Sequence, residues 1–519
     1  MEQELTIAIF MALTTVLFIY SKRSNTGPLT HLPLPPGPKG LPLIGNLLNM
    51  PKNPEWVAYH QWSKDLDTDI LYLNAAGTDI IVLDSAEAAF ELLEKRSSIY
   101  SSRARLPMVN ELIGWEFAFG FMKYGDGWRK RRRVVHHSFH PGTALLFRPH
   151  VLKSARNLLN RCLEIPRDIV GNLRHMAAET IMSVTYGLDV QPHDDPYIQV
   201  AEHGVEGFSI AAVPGTFLVD AIPALKYVPE WCPGASFKRK AREWKRSTIS
   251  MIETPFAAAK KIIADGTSPH SMVCSHLRQI DGRDPEQEEV VKHAAGTMYA
   301  GGTDTTLSAL ASCILGLLER PEVMKKAQEE LDRVIKPGHL PEFEDQDSLH
   351  YITAIAMEAL RWRAIVPIGI PHLVTVEDEY KGYRIPAGSI VIANSWAMLH
   401  HEKTYPDPFT FNPDRFMKDG KLNSAVRDPA HACWGFGRRI CPGRYLAYSS
   451  IWITLASMLA VFDIEKATDK DGNVIELTHE YFPALISVPR PYECSIKPRS
   501  KEAEKLIRTS AMPELNRLL

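Results

Sequence analysis

From about residue 50 to residue 500 the apolar positions recur mainly at helical spacing, and short β-patterned runs occur near each end. LYLNAAGTDIIVLD (71–84) carries β-branched and aromatic runs on either side of Gly77 and predicts a hairpin. Strand patterns return at HLVTVE (372–377), GSIVIAN (388–394), SVP (487–489) and ECSIK (493–497). The longest helical pattern opens at Pro285, with Glu286, Glu288 and Glu289 in its first turns, and stops at Arg320-Pro321. Such a helix is about 50 Å long and crosses a whole domain. At its middle stands AGGTDTT (300–306), where two glycines weaken the helix and Asp304, Thr305 and Thr306 bring polar groups into the interior. Two readings are open: a close helix contact with back-bonded threonines, or a helix widened beside a ligand, with a carboxyl and a hydroxyl to move protons.

The first residues break this pattern. Leu5–Tyr20 is a run of 16 residues without charge, preceded by Glu2 and Glu4 and followed by Lys22 and Arg23. A cleaved signal peptide would carry its positive charge first. Residues 1–24 therefore predict a single signal-anchor transmembrane helix in the endoplasmic reticulum membrane, with the body cytoplasmic. Residues 25–45 follow as a hinge, five of residues 33–43 being proline, which favours stiff extended backbone. Residues 46–499 predict one large domain, mainly α with minor β, and 500–519 a charged C-terminal tail.

Composition narrows the function. A net charge of −2 argues against a nucleic-acid partner. Seven scattered cysteines make a poor disulfide framework and suit a reducing compartment.

One cysteine stands apart, in HACWGFGRRICPGRYLA (431–447). His431, Cys433 and Cys441 lack a zinc spacing and a fourth ligand. Gly435 and Gly437 begin a phosphate-loop pattern that Ile440 breaks. A nucleophile would need a histidine base that the sequence does not place. An axial metal ligand explains more. Pro442-Gly443 leads into a helical run, so the Cys441 sulfur sits at a helix N-terminus near Arg438, Arg439 and Arg444, where thiolate is favoured.

WGFGRRICPG resembles the cysteine loop of the cytochrome P450 family, F-x-x-G-x-R-x-C-x-G, with Gly437, Arg439, Cys441 and Gly443 matching and Trp434 in the place of phenylalanine. AGGTDTT resembles the family's oxygen-binding helix. Glu358 and Arg361 resemble its E-x-x-R pair; the pattern also occurs at Glu164, Glu243, Glu330 and Glu514, and order along the chain selects this copy. Arg415 in NPDRF (412–416) would complete a buried Glu-Arg-Arg cluster. GWRKRRR (127–133) resembles the W-x-x-x-R helix, with Arg132 inward and Arg129, Lys130, Arg131 and Arg133 partly on the surface. His136 and His140 stand four residues apart, the spacing of a metal half-site, without an acidic or cysteine partner.

The resemblance implies the P450 fold and a haem-thiolate monooxygenase, with haem b on Cys441, Trp128, Arg132, His372 and Arg439 against the haem, and Asp304 and Thr305 supplying protons. It implies electrons from NADPH through a separate reductase, with cytochrome b5 as a further donor and the lipid bilayer as a partner. The pocket segments, 104–121, 207–217, 364–371 and 482–488, carry few charges, so a hydrophobic small molecule is the expected substrate. The motif style is similar to fungal members acting in secondary metabolism or xenobiotic detoxification. Two rivals stay open: an isomerase, dehydratase or peroxygenase of the same fold, and a non-catalytic, membrane-tethered cysteine or zinc module.

Overall fold

The computed structural model describes residues 28–510 except 52–53, 214, 268 and 281–283. The expected membrane helix over 1–24 lies outside the described residues. Among the described helices none is long and apolar enough to cross a membrane. The chain forms two compact units. The smaller takes the chain up to Ala104, Ile368–Met398 and Gly435–Ile440; the larger takes Arg105–Pro367, Leu399–Trp434 and Cys441 onward.

The smaller unit is built on a four-stranded sheet. The expected hairpin is there: Ile70–Ala75 pairs antiparallel with Thr78–Leu83, and Ala76 and Gly77 both take positive φ at the turn. Thr78–Leu83 pairs parallel with Ile390–Ala393, which pairs antiparallel with His372–Leu373. The strand expected over 372–377 is thus only two residues long. The proline-rich segment lies along the outer strand: Tyr72 N–H donates to the Pro36 carbonyl at 2.9 Å, and a Cβ on Gly37 would overlap the Tyr72 carbonyl. Prolines suit a sheet edge because they have no N–H to leave unpaired. Arg384 N–H holds the Pro33 carbonyl at 2.8 Å and Asn46 Nδ2 the Pro38 carbonyl at 2.9 Å. This hinge is stapled down.

The larger unit is helical, with two small two-stranded pairs. Its axis is the Pro285–Glu319 helix of 35 residues, capped by the Asp284 side chain, which accepts from Gln287 N–H at 3.1 Å. The helix is unbroken α through AGGTDTT, so of the two open readings the local widening is not seen. The two glycines there have different surroundings. A side chain on Gly302 would overlap Ile181 of the Ile169–Tyr186 helix, whereas a Cβ on Gly301 would meet nothing within 4 Å. Gly302 lets two helices close up; Gly301 faces open space.

The cysteine loop feeds the Arg444–Val461 helix, whose apolar run continues directly into the strand Phe462–Lys466. That strand pairs antiparallel with Cys494–Pro498. Lys501–Ser510, within the expected charged tail, is an amphipathic helix with Ile507 buried and its carbonyl bonded by Asn160 Nδ2 at 3.1 Å.

Candidate active site

Within the larger unit Cys441 N–H donates to the Trp434 carbonyl at 2.8 Å, closing the loop, and Arg444 Nη1 donates to the Cys441 carbonyl at 2.9 Å. Burial pushes the thiol up from its ordinary value. Opposing it are the N–H groups of Gly443 and Arg444 and the guanidinium charges of Arg132 and Arg444, all of which favour thiolate. Gly443 lies against the long helix, where a Cβ would stand 3.6 Å from the Met298 methyl.

Arg132 and Trp128 come from the Asp126–Phe139 helix, with Trp128 buried. Burial pushes the Arg132 guanidinium down to about 10, and the one described charge that favours the cation is Cys441. Its neighbours divide differently from the expectation. Arg129, Lys130 and Arg133 are exposed, but Arg131 is half-buried, with Nη2 2.8 Å from His293 Nδ1 and Nη1 on the Gly127 carbonyl. The His136 and His140 rings are 5.7 Å apart, yet His140 Nδ1 already accepts from Gly142 N–H. Among the described residues no three His, Cys, Asp or Glu side chains are arranged to hold a metal, which leaves the zinc module unsupported.

Asp304 and Thr305 are each held by another group. Asp304 Oδ1 lies 2.6 Å from Nη1 of Arg174, on the Ile169–Tyr186 helix, and Thr305 Oγ1 donates to the Gly301 carbonyl at 2.7 Å. Arg174 carried no sequence signal, being 130 positions away from its partner.

The supporting cluster is assembled as the motifs imply. Arg361 donates through Nε and Nη2 to both Glu358 oxygens, at 2.7 and 2.8 Å, with both side chains fully buried. Arg415 Nε is 3.3 Å from Glu358, and Asn412 N–H donates to the same carboxylate at 2.8 Å. Arg361 Nη1 also ties down the Leu399 and Pro408 carbonyls.

Within the smaller unit Arg439 Nε donates to the Ser101 carbonyl at 2.7 Å, and Gly437 N–H donates to Glu94 at 2.6 Å. Gly437 has φ +55°, and a side chain there would overlap the Leu93 carbonyl. His372 Nδ1 lies 2.7 Å from the Tyr100 carbonyl, so it carries the proton. Burial and the charges of Arg103 and Arg439 hold the imidazole well below its ordinary value. Arg103, absent from the sequence reading, is buried too, and is held well below its usual value by that burial and by Arg439. The guanidinium groups of Arg103 and Arg439 beside the neutral His372 make a place suited to an anion.

Comparison with known proteins decides the family: residues 35–495 match the family model described as Cytochrome P450. The chain belongs to the cytochrome P450 family. It is similar to cytochrome P450 monooxygenase 98 of Postia placenta, with 48% identity over 95% of this chain and 94% of that one. Cytochrome P450 monooxygenase ple1 of Rhodocybe pseudopiperita is 43% identical over 97% and 95%. Tryptamine 4-monooxygenase of Psilocybe cyanescens is 42% identical over 91% and 94%. The chain is a haem-thiolate monooxygenase of the P450 type.

The family's haem fits the chemistry of the donors described. Cys441 is a free thiol with two N–H groups and two guanidinium groups favouring its anion. Arg132 has no carboxylate among the charges favouring it, and a carboxylate of the porphyrin would supply one. Gly301 leaves the long helix open where a side chain would fill space.

Proposed function

We propose that this P450 oxidises an uncharged, hydrophobic small molecule, with Cys441 as the iron ligand and electrons from NADPH through a separate reductase. Haem, when bound, supplies dioxygen activation and transfer of one oxygen atom to the substrate. This chain's residues supply the rest. Cys441 presents a thiolate held by N–H groups and cations. Arg132 and Trp128 hold and orient the porphyrin, and the resemblance assigns His372 and Arg439 to its carboxylates as well. His372 can donate from Nε2 only when protonated, and an anion beside the Arg103–His372–Arg439 group would favour that form.

Thr305 Oγ1 and Asp304 are the proton-handling groups in this reading. For Asp304 to pass a proton inward its carboxyl must leave Arg174, and for Thr305 to donate its hydroxyl must leave the Gly301 carbonyl. Support for an uncharged substrate comes from the 104–121 segment, whose Arg105 and Glu111 neutralise each other at 2.6 Å, with Lys226 on the same carboxylate at 2.7 Å. The charged side chains of that segment that lie near Lys226 are thus held in ion pairs, while most of its other side chains are apolar.

An endoplasmic-reticulum anchor at residues 1–24, cytochrome b5 as a second electron donor and a role in secondary metabolism or detoxification complete the proposal. The observation that carries it is the Cys441 loop, a thiol under two N–H donors and two cations. The test is a product screen of the purified protein with reductase and NADPH against the same substrates with peroxide alone. Products that require NADPH and reductase support a monooxygenase cycle; products formed equally without them support the peroxygenase or isomerase alternative.

A further inference from the structure

The helical segment of the smaller unit that meets the cysteine loop changes its winding on the way. Ala86–Ala89 starts as α-helix, with the Ser85 hydroxyl accepting from Ala88 N–H at 3.0 Å, and Phe90–Lys95 continues it at the wider π spacing. Such widened turns are rare and occur often at functional sites. In this one Leu92 and Leu93 are buried and Glu94 is exposed. The far end of the segment is tied to the 378–379 strand. Arg96 Nη1 donates to Asp378 at 3.0 Å and to the Glu379 carbonyl at 2.6 Å, and the Tyr100 hydroxyl donates to Asp378 at 2.9 Å. Residues 86–101 therefore form a platform fixed at both ends.

The tip of the cysteine loop rests on this platform. The Leu93 carbonyl stands where a side chain on Gly437 would begin, 2.2 Å from an added Cβ. The Glu94 carboxylate accepts from Gly437 N–H at 2.6 Å, and the Ser101 carbonyl accepts from Arg439 Nε at 2.7 Å. Gly437 opens a short turn in which the N–H groups of Arg439 and Ile440 return to the Phe436 and Gly437 carbonyls, each at 3.1 Å. The first N–H of such a turn finds no partner inside it, and Glu94 supplies one from outside. A carboxylate acceptor makes this bond roughly twice as strong as a neutral one. Leu93 and Ser101 contribute backbone atoms, which no substitution removes. Glu94 contributes a side chain.

We propose that Glu94 is a positioning residue for the iron ligand: by holding Gly437 N–H it fixes the tip of the loop, and through the chain it fixes Arg439 and Cys441. The inference rests on Cys441 as that ligand. Glu94 touches neither the sulfur nor a substrate and acts through the backbone between Gly437 and Cys441. A thiolate stays on the iron only while its loop keeps the N–H groups and cations of the site turned toward it. A surface cap with no such role would add stability alone, and the two roles separate in the readouts below.

The test uses the full-length, haem-loaded protein with Glu94→Ala, Glu94→Asp and Glu94→Gln. Glu91→Ala is the control from the same turn, because Glu91 pairs with Lys95 and Arg96 at 2.8 and 3.3 Å. The reduced carbon-monoxide complex is held below the melting temperature while the red-shifted band of thiolate-bound haem is followed, beside hydrogen exchange of the amides of residues 434–441. Glu94→Ala should lose the band about tenfold faster than the parent, the scale of one charge-assisted hydrogen bond, and its loop amides should exchange faster. Glu94→Asp draws the carboxylate back by one methylene and should behave like the alanine variant. Glu94→Gln keeps an acceptor at the same reach and should stay close to the parent, as should Glu91→Ala. Parent rates of band loss and exchange in both Glu94→Ala and Glu94→Asp overturn the proposal, whatever their melting temperatures. So does an aspartate variant like the parent beside a glutamine variant like alanine, which would make charge rather than reach decisive. A parent protein without the band overturns the assignment of Cys441 itself, and this proposal with it.

Discussion

Arg174 holds Asp304 at 2.6 Å, while the next residue, Thr305, turns its hydroxyl back to Gly301 at 2.7 Å. The acid and the alcohol are therefore restrained from two different directions, one by a neighbouring helix and one by their own. Asp304→Asn removes the carboxyl proposed to carry protons and should lower product formation by about two orders of magnitude, the low end for loss of a positioned acid. Arg174→Gln releases the carboxylate and should change the product formed per NADPH consumed, leaving the haem spectrum as it was. Parallel product and NADPH assays at several pH values check both; unchanged coupling in Arg174→Gln would leave the ion pair a purely structural contact.

The two glycines of AGGTDTT separate packing from ligand space. Gly302→Ala forces a methyl into Ile181 and should cost about 1–3 kcal/mol of stability. Gly301→Ala meets nothing and should stabilise the helix by up to about 1 kcal/mol. Its added methyl should instead weaken binding of haem or of apolar ligands. Thermal melting and ligand-induced spectral shifts of the two variants should thus move in opposite senses.

The Glu358–Arg361 pair is fully buried and bidentate, and Glu358 also receives Arg415 and the Asn412 N–H. Glu358→Ala leaves two guanidinium groups without their carboxylate in the interior. The expected loss is about 3–5 kcal/mol, read by denaturant unfolding or as failure to accumulate folded protein. Arg415 also binds the Pro406 carbonyl at 2.7 Å and is closer to the surface, so Arg415→Ala should cost less.

These residues also mark what could be read from the chain. The cysteine loop, the long helix, the hairpin and the Glu358–Arg361–Arg415 cluster are local patterns or ordered motifs, each visible in a few neighbouring positions. Arg174 and Arg103 are not: each matters through a tertiary neighbour, Arg174 through Asp304 on another helix and Arg103 through the Ile370 and Pro371 carbonyls. Arg131 looked like one more surface cation because a basic run conceals which member turns toward His293. Phe462–Lys466 was hidden because the apolar pattern of the preceding helix runs straight into it. The amphipathic face of Lys501–Ser510 is short and sits among charges, so composition alone made it a tail.

Asp220 gives a pH prediction. Burial pushes its carboxyl up to about 6 from an ordinary value of 3.8, and Met108 N–H only partly offsets this. A carboxyl whose pKa is higher folded than unfolded favours the folded state below about pH 4 and loses that contribution as pH rises to about 6. Asp220→Asn keeps an acceptor for Met108 and removes the titration. The variant should lose a pH-dependent component between pH 4 and 6 in unfolding experiments, at most about 3 kcal/mol and less because the half-buried carboxyl is screened by solvent, and be no less stable than the parent at pH 7.

Thiolate ligation by Cys441 is tested most directly by the carbon-monoxide difference spectrum of reduced Cys441→Ala, beside Cys433→Ala as a control from the same loop. The parent and Cys433→Ala should show the red-shifted band of thiolate-bound haem, and Cys441→Ala should lack it and all NADPH-dependent turnover. Retention of that band in Cys441→Ala, or its loss only in Cys433→Ala, would contradict the assignment.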